Sequence, residues 1–120
     1  MLILGSTTDI VTVAVASAGQ VDVHASWMDN VAGAVGPGRT NTATITTPTT
    51  TTVVGSPAAS VQRNLKTLLI RNRGTGPNDV TVNHSDGTTV VSLHKVTLAP
   101  GGTLQYIDEV GFLAPITGIN

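Results

Sequence analysis

Turn-forming residues recur along this chain at short intervals, and this spacing constrains the fold more than any other feature. Clusters of glycine, proline, asparagine and aspartate separate apolar or threonine-rich runs at intervals of roughly eight to twelve residues. Such spacing is typical of short antiparallel strands joined by turns. A length of 120 residues fits one domain. We therefore predict an all-β fold: a single antiparallel β-sandwich over residues 1–120, jelly-roll-like, with about eight short strands.

The segment between residues 21 and 54 changes character along its length. In residues 21–27 the apolar side chains occupy odd positions, which predicts a strand with one buried face and Trp27 directed inward. Residues 31–38 are small and glycine-rich, and they predict a mobile loop. Threonine dominates residues 39–54, where Pro48 predicts a turn or an edge position because proline donates no ladder hydrogen bond.

The segment from residue 56 to residue 70 fits two kinds of structure. Its apolar side chains follow helical spacing, and Ser56-Pro57 is a suitable helix start. The leucines at its end also fit a buried strand, and the surrounding chain has strand character. We predict a turn or a single helical turn over residues 58–62 and a strand over residues 63–72.

The dipeptide Asp86-Gly87 lies between two alternating runs and predicts a β-hairpin with a two-residue type I′ turn. The resulting register pairs Ser85 with Thr88, His84 with Thr89, Val82 with Val91, and Val80 with Leu93. Its continuation would turn a lysine inward, so we predict a bulge or a change of sheet near His94-Lys95.

Charged residues make up 11% of the chain, compared with roughly 25% in an average soluble domain, and the formal net charge is -1. The six lysines and arginines are scattered, whereas a nucleic-acid-binding domain carries a clustered basic face. We therefore predict no nucleic-acid partner. A low charge content instead favours a surface that is partly covered by protein.

Residues that could support catalysis or ligand binding are few. The chain has no cysteine, and its seven carboxylates are isolated in sequence. The predicted hairpin register separates His84 from His94, and His24 lies on the polar face of its strand. No nucleophile motif or phosphate-binding loop is present. We therefore predict no enzyme activity, no catalytic residues, no cofactor and no metal site.

The apolar termini and the arginines are the candidate interface residues. The apolar start of the chain is too short for a signal peptide or a membrane span, so we expect a soluble, unprocessed chain without a membrane partner. We expect residues 1–8 to form an N-terminal arm or to fold back onto the sheet, and residues 111–120 to form a C-terminal arm or to pack. The candidate interface residues are Leu2, Ile3, Arg39, Arg63, Arg71, Arg73 and Phe112.

Five runs spread over most of the chain carry a resemblance to known proteins. They are GSTTD at 5–9, VDVHASW at 21–27, PGRTNT at 37–42, PAASVQR at 57–63 and LAPGGTLQY at 98–106. In these runs the chain resembles a group of small virion structural proteins of tailed bacteriophages. Members of the group act as capsid decoration (cement) proteins or as modules of head and tail fibres. The similar residues are those of turns and strand ends, so the resemblance implies a common fold more directly than a common task.

Of the roles that the resemblance allows, the compactness of the chain favours a decoration protein that binds the outer capsid surface and stabilises capsomer contacts. Its partners would be the major capsid protein or other virion proteins, and its location the virion, assembled in the host cytoplasm. A homo-oligomer is implied, with a trimer favoured. Alternatives are a short head- or tail-fibre or adaptor module, and a carbohydrate-binding β-sandwich. A fibre subunit would usually contain a coiled coil or a collagen-like repeat, and this chain contains neither.

Overall fold

The computed structural model describes residues 2–116, which form ten strands and no helix. The strands are β1 Leu2–Leu4, β2 Ile10–Val15, β3 Val21–Val31, β4 Ala34–Ile45, β5 Thr49–Val54, β6 Gln62–Asn72, β7 Asn78–Ser85, β8 Val90–Leu98, β9 Thr103–Ile107 and β10 Gly111–Ile116. The predicted all-β antiparallel sandwich is confirmed, with ten strands in place of about eight. Within residues 2–116 no helix that could cross a membrane is found.

The strands form two antiparallel sheets. The six-stranded sheet has the order β10-β9-β6-β3-β4, and β1 pairs with β6 next to the end of β9. The four-stranded sheet has the order β5-β2-β7-β8. Three hairpins stay within one sheet, namely β3–β4, β7–β8 and β9–β10, and every other connection between the ten strands crosses to the opposite sheet. Each sheet is therefore assembled from strands that are distant in sequence.

The core lies between the inner faces of the two sheets and consists mainly of valine and leucine. The predicted alternation in β3 is confirmed, because Val21, Val23 and Ala25 are buried. Each buried valine or leucine stabilises the fold by roughly 1.5–3 kcal/mol before the entropy of ordering is counted. Asn72 is also buried, and its amide donates hydrogen bonds to the carbonyls of Gly76 and Leu98, both at 2.9 Å. The hydrogen bonds of the Asn72 amide therefore offset the cost of burying this polar group.

The prediction of a mobile loop over residues 31–38 is wrong. Strands β3 and β4 continue through this segment and are joined by Ala32-Gly33, which have φ angles of 49° and 86°. Two positive φ values are those of a type I′ turn, whose twist matches that of paired strands. Trp27 pairs with Gly38 across the ladder, and its indole covers the glycine. The aromatic ring supplies the packing that the small residues lack.

The interpretation of the segment around residue 60 as a turn followed by a strand is confirmed. The Val61 N–H donates to the Ala58 carbonyl at 3.1 Å, and β6 begins at Gln62. The interpretation of Pro48 as a turn residue is also confirmed, because it lies between the end of β4 and the start of β5.

The β7–β8 hairpin forms, but its predicted turn and register are wrong. The loop contains four residues, 86–89, and Ser85 pairs with Val90. The Asp86 carboxylate closes this wider loop by accepting the N–H groups of Thr88 at 2.9 Å and Thr89 at 2.7 Å.

The predicted bulge is present but lies one position earlier than the His94-Lys95 site. Asn83 pairs with Ser92 and Val82 pairs with His94, so Leu93 is the extra residue. The bulge reverses which residues of β8 face inward. It places Val96 and Leu98 on the same side as buried residues of β7.

Both apolar ends of the chain join the six-stranded sheet within the described residues. Strand β1 folds back onto β6, and Leu4 is fully buried. Strand β10 pairs with β9 through Ile116. Met1 and residues 117–120, which belong to the two expected arms, lie outside the described residues.

Candidate protein interface

The outer face of the six-stranded sheet combines apolar and charged side chains in rows. Residues that are paired across strands share a face, and successive residues alternate between faces. The register therefore aligns one outward row across five strands, consisting of Asn41, His24, Leu69, Gln105 and Leu113. A neighbouring row consists of Arg39, Ser26, Thr67 and Ile107. We call this surface the six-strand outer face.

Four large apolar side chains on this face are exposed to solvent. Leu69 and Ile107, near its centre, are 37% and 36% exposed. Ile3 and Val35, toward the β3–β4 hairpin, are 39% and 61% exposed. Single exposed apolar residues are ordinary, but several on one face mark a surface suited to protein contact.

Charged groups lie in the rows on either side of the row that contains His24 and Leu69. Arg71 pairs with Asp22 across β6 and β3, and Arg39 pairs with Ser26 across β4 and β3. At the rim, the Arg73 Nε donates to the Asp22 carboxylate at 2.7 Å. The pKa of Asp22 is lowered, first by the hydrogen bond from the Thr44 hydroxyl and then by Arg73. Within residues 2–116, Arg39 and Arg71 form no ion pair.

The centre of the face is polar and shallow around His24. The His24 Nδ1 and the Asn41 Oδ1 share a hydrogen bond of 2.6 Å. Shallow depressions flank this pair, one lined in part by Leu69 and Arg71 and the other by Pro37 and Arg39. No group of three or more histidines, cysteines or carboxylates that could hold a metal is found in the described part of the chain. The arrangement can offer hydrogen bonds, positive charge and apolar contact to a fairly flat partner.

The structure separates the sequence-predicted interface residues into two sets. Ile3, Arg39 and Arg71 lie on the six-strand outer face, and Arg73 lies at its rim. Leu2 and Phe112 are half-buried and pack against the core. The Phe112 ring stacks on His94 at 4.7 Å between centroids, so it is engaged within the chain.

Arg63, like Leu2 and Phe112, lies on the inner side of the sheet and not on the six-strand outer face. Its guanidinium forms a two-point ion pair with Asp29 at 2.8 and 3.0 Å and donates to the Gly55 carbonyl at 2.8 Å. It also lies 4.6 Å above the centre of the Trp27 ring. With its hydrogen bonds satisfied and its side chain only 15% exposed, Arg63 supports the β3–β4 hairpin.

Leu69, Ile107 and Val35 also lie on the six-strand outer face, although they are not among the interface residues predicted from the sequence. Leu69 lies within a run of three apolar residues that is typical of a strand buried on both faces. Its neighbours Leu68 and Ile70 are buried, and only Leu69 points outward. In a strand with one buried face, an apolar residue at an outward-facing position is the one signal that could have indicated Leu69.

The outer face of the four-stranded sheet is different in composition. Its outward positions are mostly polar, namely Thr50, Thr52, Thr81, Asn83, Ser92 and Lys95. Val90, opposite Ser85 at the start of β8, also faces outward and is 64% exposed. We call this surface the four-strand outer face. No family model, curated protein or solved structure matches the chain.

Proposed function

We propose that this chain is a bacteriophage capsid decoration protein that binds the outer capsid surface through its six-strand outer face. One observation carries the proposal: four exposed apolar side chains and two arginines without an ion pair occur together on this face, while the opposite outer face is largely polar apart from the exposed Val90. Arginine with apolar residues is the composition of protein interfaces. The sequence resemblance to small phage virion proteins supplies the class of partner.

The six-strand outer face has a suitable size for a stable contact. Strands lie roughly 4.8 Å apart and rise roughly 3.3 Å per residue. Five strands and the 11-residue length of β6 therefore give a face of about 20 by 35 Å, or about 700 Å². A standard protein interface buries about 800 Å² on each partner. Contact over the whole face would be sufficient for specific binding.

In this proposal the partner is the major capsid protein, and the chain acts in the virion by tying neighbouring capsomers together. Copies associate as a homo-oligomer, with a trimer as the favoured state. Binding only the folded chain would also stabilise it, because ligation of the native state shifts the folding equilibrium. A core with so little aromatic content benefits from that linkage.

Quantitative mass spectrometry of purified particles tests this function. A decoration protein is expected in a fixed, high ratio to the major capsid protein. A handful of copies per particle would contradict the proposal and favour a fibre or adaptor module.

Reconstitution locates the contact surface. Particles lacking the chain are incubated with the wild type, with the variant Leu69→Asp/Ile107→Asp, and with the control Thr50→Asp/Thr52→Asp on the four-strand outer face. We expect the first variant to lose binding at least about tenfold, because each carboxylate must be desolvated against the partner. The control should bind like the wild type. Circular dichroism verifies that both variants fold.

A further inference from the structure

Formal charge is distributed unevenly over the described residues. The six-strand outer face with its rim carries Arg39, Arg71 and Arg73 against Asp22, a formal charge of +2. The remaining three basic residues face six carboxylates, so the rest of the chain carries -3, which gives the net charge of -1. A slightly acidic chain thus presents one basic face.

The two unpaired arginines determine what can cover this face. Burying a guanidinium against a surface without acceptors is strongly unfavourable, because its hydration is lost and nothing replaces it. Arg73 brings its own ion-pair partner in Asp22. Arg71 lies opposite the same carboxylate and helps to lower its pKa, but neither the Arg71 nor the Arg39 side chain forms an ion pair or a hydrogen bond within residues 2–116. A partner that covers them must therefore supply acceptors, and carboxylates match the planar guanidinium best.

We propose that the six-strand outer face binds an acidic protein surface, with carboxylates opposite Arg39 and Arg71 and apolar side chains opposite Leu69 and Ile107. The inference deepens the proposed function and rests on it for the identity of the partner, but its chemistry is argued from the face alone. Charge complementarity of this kind raises the association rate and fixes the orientation of binding.

The same face fits a nucleic acid less well. Single-stranded nucleic acid is held by bases stacked on aromatic rings. The three aromatic residues of the chain, Trp27, Tyr106 and Phe112, lie on the inner side of the sheet. Leu69 on β6 and Ile107 on β9 would remain unmatched against phosphate groups.

Nuclear magnetic resonance of the isotope-labelled full chain tests the inference, with a short oligoglutamate peptide and a DNA duplex as separate probes at low salt. We expect oligoglutamate to shift the signals of Arg39, Arg71 and His24, and added salt to reverse the shifts. Arg39→Glu/Arg71→Glu should weaken this binding at least about tenfold. Lys95→Glu reverses a charge on the four-strand outer face and should leave it unchanged.

Three results would overturn the inference: shifts centred away from this face, equal binding by Arg39→Glu/Arg71→Glu, or tighter binding of DNA than of oligoglutamate at the same residues. The proposed function fails separately. Particle binding that survives Arg39→Glu/Arg71→Glu but is lost in Leu69→Asp/Ile107→Asp retains the decoration function and removes the acidic partner. Oligoglutamate binding by a chain that is scarce in particles retains the acidic partner and removes the decoration function.

Discussion

The β3–β4 and β7–β8 hairpins relate local sequence to structure in opposite ways. The first contains a glycine-rich stretch that is typical of a loop, and it forms a ladder closed by the two residues Ala32-Gly33. The second contains Asp86-Gly87, a strong signal for a two-residue turn, and it forms a four-residue loop followed by a bulge. In both hairpins a contact from outside the turn decides the result.

In the β3–β4 hairpin that contact is a stack of side chains. The Trp27 indole lies over Gly38, and the Arg63 guanidinium lies over the indole while it pairs with Asp29. The stack joins β3, β4 and β6. A weak local preference is therefore overridden by cross-strand packing.

In the β7–β8 hairpin the contact comes from the loop before β2. The Thr8 hydroxyl donates to the Asp86 carbonyl at 2.6 Å, and the Thr8 side chain packs against Gly87. This contact joins residues 78 positions apart in sequence. The loop conformation therefore satisfies both the contact with Thr8 and the hydrogen bonds that the Asp86 carboxylate accepts within the loop.

Gly38→Ala is expected to have the largest effect. A Cβ at this position would lie 2.3 Å from the Trp27 Nε1, so the indole and its contact with Arg63 must move. Overpacking of this kind costs about 1–3 kcal/mol of unfolding free energy. Urea unfolding measures the loss, and the fluorescence of the single tryptophan should shift to longer wavelength.

Gly36→Ala is the matched control, because a Cβ there meets nothing within 4 Å. Its unfolding free energy should change by less than about 0.5 kcal/mol. Equal stability of the two variants would show that the glycine-rich segment does not depend on the Trp27 contact.

Gly87→Ala is expected to have the next largest effect. Gly87 has a φ of 93°, and a Cβ there would lie 2.9 Å from the Thr8 Cβ. The left-handed backbone alone costs an alanine about 1–2 kcal/mol, and the contact with Thr8 adds to it. Thermal unfolding measures the sum.

Gly111→Ala separates the two contributions, because Gly111 has a φ of 98° but no neighbour within 4 Å of a Cβ. We expect it to be less destabilising than Gly87→Ala. If both variants lose the same stability, Thr8 does not restrain the β7–β8 loop.

The smallest effect is expected from Asp86→Asn, and it appears in acid. Hydrogen bonds from the N–H groups of Thr89 and Thr88 lower the pKa of Asp86 below its usual value of 3.8. A carboxylate with a lowered folded-state pKa stabilises the fold above the unfolded-state pKa, and this contribution is lost as pH falls through the folded-state pKa. Asparagine retains an acceptor oxygen but cannot titrate. The variant should therefore lose less stability than the wild type between about pH 4 and about pH 2 in thermal unfolding.

The pKa values of Asp9, Asp22 and Asp108 are also lowered, so some acid sensitivity should remain in the variant. Superimposable pH profiles for the wild type and Asp86→Asn would show that the charge of Asp86 does not contribute to closing the loop.

The candidate interface could be predicted in composition but not in arrangement. Ile3, Arg39 and Arg71 could be selected from the sequence as unexplained apolar or basic residues. Their presence on one face depends on the pairing of β1 and β3 with β6 and of β4 with β3. Arg63 is also an arginine, but it faces inward because it lies opposite Leu4 and Asp29.

The sequence by itself determined that the chain forms antiparallel strands, which residues of β3 are buried, and where Pro48 and Asp86-Gly87 interrupt the strands. These features depend on side-chain alternation and backbone preference, which act over a few neighbouring residues. The sequence did not determine strand length, because β3, β4 and β6 are 11, 12 and 11 residues long rather than short. Only the tertiary structure decided the strand order, the β7–β8 register and the side on which each arginine lies. Those features depend on contacts such as that of Thr8 with Asp86, which exist only after distant segments have come together.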